Sequence, residues 1–164
     1  MIPSQNRWWL SSWHILYAAV LALWLGGLTF YALVVIPVGT ERWGSVEQGM
    51  LTASVTVRLN WIANVAILLV AIESLRVGRR WFWLGTALLI GFQVWLFLLH
   101  GQLSERLNLS TGEIQESAGA LSFYDMHRLY LLVTAAQWLL GILFFAHFCQ
   151  RAARSSASDS VAAS

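Results

Sequence analysis

The groups in this chain that could do chemistry are four histidines and a set of polar residues embedded in apolar sequence. Paired imidazoles ligate haem iron or a metal ion, while single ones hydrogen-bond headgroups or water. His127 and His147 stand 20 positions apart, which is about 30 Å along a helix and on nearly opposite faces. They cannot share a site. Helical spacing instead allows two level pairs, His100 with His127 and His14 with His147. The cofactor such pairs would hold is haem b, and four interfacial histidines with no cofactor fit the same spacing. His127 falls in line with Tyr130, Thr134, Gln137 and Gly141 at helical intervals, and His147 lies almost opposite. Loss of His127 is therefore expected to matter more than loss of His147.

Arg58, Asn60, Asn64, Gln93, Tyr130 and Thr134 make up the second set, a polar interior. An amide or charge within hydrocarbon costs several kcal/mol unless it is partnered, so such residues face one another or a cavity. Thr86, Gln93 and His100 are seven apart and share a face, Asn60 and Asn64 are four apart, and His14, Tyr17, Trp24, Leu28 and Tyr31 form a stripe on the first apolar run. The deepest layer expected combines Asn64, Gln93 and Thr134, with Arg58, His100, His127, Tyr130 and Tyr31 above it. Interhelical hydrogen bonding and a ligand cavity both fit that pattern. Arg58 is expected to pair with one of Glu105, Glu113, Glu116 or Asp125, and Glu73 with Arg76, three positions on. No Ser/His/Asp triad, Cys-x-x-Cys, phosphate loop or glycine-rich nucleotide fingerprint is present, so no catalytic residue is assigned.

The elements that must position these groups are helices in a bilayer. Of 164 residues, 58% are hydrophobic and 11% charged, whereas soluble domains carry about 25% charged residues. Four apolar runs, near 13–38, 53–77, 81–100 and 124–149, are long enough to span hydrocarbon, which takes about 20 helical residues. The fold expected is an all-α, integral membrane, four-helix up-down bundle over 13–149. A cytoplasmic segment, 1–12, precedes it, and a disordered cytoplasmic tail, 150–164, follows. The first run is too long for a signal peptide and is expected to be retained. Pro37 is expected to end it, leaving loops at 39–52 and 101–123, while the basic turn at 76–80 forces its flanking helices to be antiparallel neighbours.

Arg7, Arg76, Arg79, Arg80, Arg151 and Arg154 fall on one side; Arg42, Arg58, Arg106 and Arg128 fall on the other, among the acidic residues. The first side is expected to be cytoplasmic in a bacterial-type inner membrane, with Trp8, Trp9, Trp13, Trp81 and Trp83 as its aromatic belt. All ten cationic residues are arginine, so lysine chemistry is excluded, and the net charge of +2 does not suggest nucleic acid. Cys149 has no second cysteine to pair with. Ala18, Ala22 and Gly26, and Ala87 and Gly91, are stripes of small residues that could hold the bundle together or make an oligomer contact. The partners expected are membrane lipid and either a second copy of the chain or a larger membrane complex.

Two stretches carry a family resemblance. His14 followed by Trp24-Leu-Gly26-Gly27 resembles a pattern in small bacterial membrane proteins grouped with the copper-resistance-D-like families. Phe123-Tyr-Asp-Met-His127-Arg-Leu is similar to the start of the last helix in the uncharacterised four-helix membrane family 4149 and in transmembrane protein 205. The resemblance implies a four-helix membrane bundle, singles out His14, Trp24, Gly26, Gly27 and His127, and links the chain loosely to metal or drug tolerance. The helix-one pattern also resembles haem-dependent protoporphyrinogen oxidase, in which a histidine there binds haem. That family relies on a membrane lysine, which this chain lacks. The functional expectation is a non-enzymatic protein for ligand or metal handling, or an accessory subunit of a membrane complex; the alternative is a b-type haem protein in electron transfer.

Overall fold

A computed structural model of the chain describes residues 5–106 and 122–162, with side chains for 12–44, 47–106 and 122–154. Five α-helices follow in order: α1 (Gln5–Phe30), α2 (Ile36–Trp43), α3 (Ser45–Val77), α4 (Arg80–Arg106) and α5 (Phe123–Ala162). Four stretches, Ser12–Trp43, Glu47–Val77, Arg80–Arg106 and Phe123–Arg154, are long and apolar enough to cross a membrane. The fold is the all-α four-helix bundle expected from the four apolar runs.

Pro37 does not end the first span. A π-helical turn, Tyr31–Val35, joins α1 to α2, and Ile36 donates its backbone N–H to the Tyr31 carbonyl, five positions back. An α-helix would push the Pro37 ring against the carbonyl four residues earlier. One widened turn just ahead of the proline relieves that clash, so the helix runs on to Trp43. The loop expected at 39–52 shrinks to Gly44, whose φ of 88° and ψ of 170° suit glycine alone.

Gly78 makes the second break. Its φ is 67°, and its N–H caps α3 by donating to the Ser74 carbonyl at 3.0 Å, the left-handed stop that lets α4 turn straight back. α4 extends past His100 to Arg106; residues 107–121, with Glu113 and Glu116, lie outside the described residues. Ser122 caps the start of α5: its Oγ accepts the Asp125 backbone N–H at 3.2 Å and donates to Asp125 Oδ2 at 2.8 Å. Helical backbone then continues to Ala162, through most of the tail expected to be disordered. A helix already nucleated upstream propagates cheaply through alanine.

The long helices close a ring in which α1 and α4 each pack against both α3 and α5. Towards the end that carries the termini, the core joins Tyr17, Leu21 and Trp24 of α1 to Ala66 and Val70 of α3, Leu89 of α4 and Phe144 of α5. A smaller cluster, Leu96, Leu99, Tyr130 and Val133, fills the opposite half between α4 and α5. Many large apolar side chains, such as Ile15, Leu33, Leu132 and Leu143, point outward, a surface that suits acyl chains and would aggregate in water.

Close approach depends on glycines other than those in the expected stripes. A methyl added at Gly141 would lie 2.8 Å from the Trp24 ring and 2.9 Å from Leu25 Cδ2, and one at Gly85 would lie 2.8 Å from Phe144. Ala22, Gly26, Ala87 and Gly91 are exposed, and a methyl at Gly26 or Gly91 would meet nothing. The stripes therefore do not hold the helices of this bundle together, and spacing on one helix could not have told which face its neighbours occupy.

Candidate functional site

Between the two apolar clusters, three helices are tied by a chain of amides. Gln93 on α4 occupies its centre: its Nε2 donates to the Asn60 backbone carbonyl on α3 at 3.3 Å, and its Oε1 accepts Gln137 Nε2 from α5 at 2.8 Å. Asn60 Nδ2 in turn donates to the Tyr130 hydroxyl at 3.2 Å. All four residues are buried, Gln137 at 2% exposure. Helical spacing explains the convergence, since Gln93 lies on the same face of α4 as buried Thr86, and Tyr130, Gln137 and Gly141 form one buried face of α5.

This layer differs from the expected one by a turn. Asn64 is half-buried and makes no side-chain hydrogen bond among the described residues. Thr134 Oγ1 bonds back to the Tyr130 carbonyl of its own helix at 2.8 Å, the usual resort of a threonine inside hydrocarbon. Asn60 and Asn64 share a stripe, and only the register of α3 against α5 decides which one meets the Tyr130 hydroxyl. Arg58 is exposed and in no ion pair among the described residues, with Glu105 exposed and Asp125 engaged in the helix cap.

Each histidine has a neighbour other than a second histidine. His14 is exposed, 5.5 Å from the Phe148 ring and edge-on to it; His147 is half-buried, 4.8 Å from Phe82; and His127 is exposed, parallel to Phe123 at 6.4 Å. His100 Nε2 lies 3.5 Å from Ser104 Oγ on its own helix. No two of these rings are in contact, and the described residues contain no group of three or more His, Cys, Asp or Glu that could hold a metal ion. Cys149 is exposed. His127, in line with buried Tyr130 and Gln137, is itself exposed, and His147 is half-buried.

A second polar cluster lies at the end that carries the termini, and sequence revealed only half of it. Glu73 of α3, 6% exposed, has the expected neighbour Arg76 at 3.8 Å. Its stronger partners come from other helices. Trp13 Nε1 of α1 donates to Oε2 at 2.9 Å, and Arg151 Nη1 of α5 donates to Oε1 at 3.2 Å. Arg76 also lies over the Trp13 ring, 5.1 Å from its centroid, a cation–π contact. The available signal was a lone carboxylate level with Trp13 and Arg151, which a buried charge would seek out.

Other bonds sew neighbouring helices together. Ser74 Oγ on α3 and Thr86 Oγ1 on α4 are 2.7 Å apart, and Trp138 Nε1 donates to Thr29 Oγ1 at 3.0 Å. At the far end, the Tyr31 hydroxyl donates to Thr52 Oγ1 at 2.9 Å. Gln48 Oε1 is there the buried side-chain atom without a partner among the described residues, resting against Gly39, where a methyl could not fit.

Comparison of the chain with known protein families, with curated proteins and with solved structures finds no match. Neutral amides and a phenol in mutual hydrogen bonds offer neither a nucleophile activated by a base nor converging metal donors. They fix the register of three helices.

Proposed function

We propose that this chain is a non-enzymatic component of a bacterial-type inner membrane that serves as an accessory subunit of a larger membrane complex, with both termini in the cytoplasm. The observation that carries this reading is the Asn60–Gln93–Gln137–Tyr130 chain. Its members are buried and linked to one another by hydrogen bonds across three helices, which favours a rigid bundle that acts through its outer surface over a solvated path or ligand cavity. The outward-facing small residues Ala22, Gly26, Ala87 and Gly91 would let another helix approach closely. The orientation rests on the bias of arginines towards the termini, since cationic flanks resist translocation. Cross-linking in the native membrane tests the reading: recovery in an assembly larger than one chain is expected, and recovery as a monomer alone contradicts it.

A b-type haem role is the second reading. Its support is the nearness of His14 to Phe148, the residue after His147, which places both histidines at one end of the bundle. Purified protein expressed with ample haem would then show a Soret band, and its absence ends this reading.

A further inference from the structure

We propose that the α3–α4 turn and the start of α4 form a binding site for an anionic phospholipid, with Arg79 and Arg80 at the headgroup and Trp81 and Leu84 along the upper acyl chain. An open pocket of about 620 Å³ is lined by Gly78, Arg79, Arg80, Trp81 and Leu84. Its two halves differ in chemistry along the helix axis. Arg79 and Arg80 are exposed and in no ion pair among the described residues. Trp81 is 79% exposed and Leu84 56%, and they continue the wall from the charged turn into the apolar span.

Among the described residues, the exposed charge at this end is of one sign. The described carboxylate at this end, Glu73, is buried and bonded to Arg151, with Arg76 beside it. That leaves Arg79, Arg80 and Arg154 uncompensated among the described residues. A guanidinium pair matches a phosphodiester in shape and charge, and basic pockets at a membrane face hold anionic headgroups. A soluble anion would use the arginines but gain nothing from exposed Trp81 and Leu84, whereas a phospholipid uses both. The site is independent of the amide chain and of the subunit role proposed above.

The full-length protein is extracted from vesicles of equimolar phosphatidylglycerol and phosphatidylcholine with identical acyl chains, and co-purified lipid is weighed by native mass spectrometry. Wild type is expected to retain phosphatidylglycerol preferentially. Each arginine beside an anionic headgroup contributes roughly fivefold, so Arg79→Gln with Arg80→Gln should lower the preference on the order of twentyfold. Arg42→Gln with Arg128→Gln, at the other end, should leave it intact, as should inorganic phosphate added as competitor. Equal retention of the two lipids by wild type overturns the site whatever the variants do. Equal losses from both arginine pairs, or displacement of lipid by phosphate, also overturn it.

Discussion

Gln137 Nε2 donates to Gln93 Oε1 at 2.8 Å across the α4–α5 interface, and Gln93 passes the connection on to the Asn60 carbonyl of α3. Two long, neutral side chains thus fix the relative height of three helices in a medium where hydrophobicity gives them no reason to associate. Gln93→Leu leaves the Gln137 amide buried without its acceptor and should cost about 1–2 kcal/mol. The double variant Gln93→Leu, Gln137→Leu should cost less than the sum of the singles, because it removes the orphan as well. Denaturation of the four proteins in one detergent checks this, and strict additivity would show that the pair is not coupled.

Gly141 should be intolerant of even a methyl group. The Trp24 ring and Leu25 occupy the space, and overpacking of this kind costs about 1–3 kcal/mol. Gly26→Ala and Gly91→Ala, which meet nothing, should leave the monomer's stability unchanged or raise it by up to about 1 kcal/mol. Melting temperatures that rank these substitutions otherwise would contradict the packing of α1 against α5.

Glu73→Ala strips Trp13 Nε1 and Arg151 of their shared acceptor. Both guanidiniums are about half-exposed and can turn to water, so the cost resides in the partly buried indole N–H and should be about 1–3 kcal/mol. Arg76→Ala should cost less, at most about 1 kcal/mol, since its contact is longer and more exposed. Thermal unfolding of the two variants side by side would show whether the carboxylate, and not the neighbouring arginine, holds this corner.

His147→Ala should destabilise more than His127→Ala. The first removes a half-buried ring 4.8 Å from Phe82, and the second a more exposed ring whose stack on Phe123 is looser, at 6.4 Å. Equal melting temperatures would sink the ranking.

The spans were legible because their length and apolarity leave no other solvent for them, and the spacing of polar and aromatic residues, unlike that of the small ones, marked buried positions on α1, α4 and α5: Tyr17, Trp24 and Tyr31 are buried together, as are Thr86 with Gln93 and Tyr130 with Gln137. Depth was not legible. Asn60 replaces Asn64, and Gln137 replaces Thr134, because spacing within one helix carries no information about its height against the next. Pro37 misleads for a different reason, since one π turn absorbs what an α-helix cannot. The Glu73 corner needed contacts between residues 60 and 78 positions apart in sequence, which no local pattern encodes.

Side-chain amide hydrogen exchange of Gln93 and Gln137, followed by NMR in lipid after transfer to deuterated water, tests most directly whether the interior is closed. Protection far beyond that of exposed Gln102 is what mutually bonded, buried amides predict. Exchange of Gln93 and Gln137 as fast as that of Gln102 would mean that water reaches the layer, and the closed interior would be wrong.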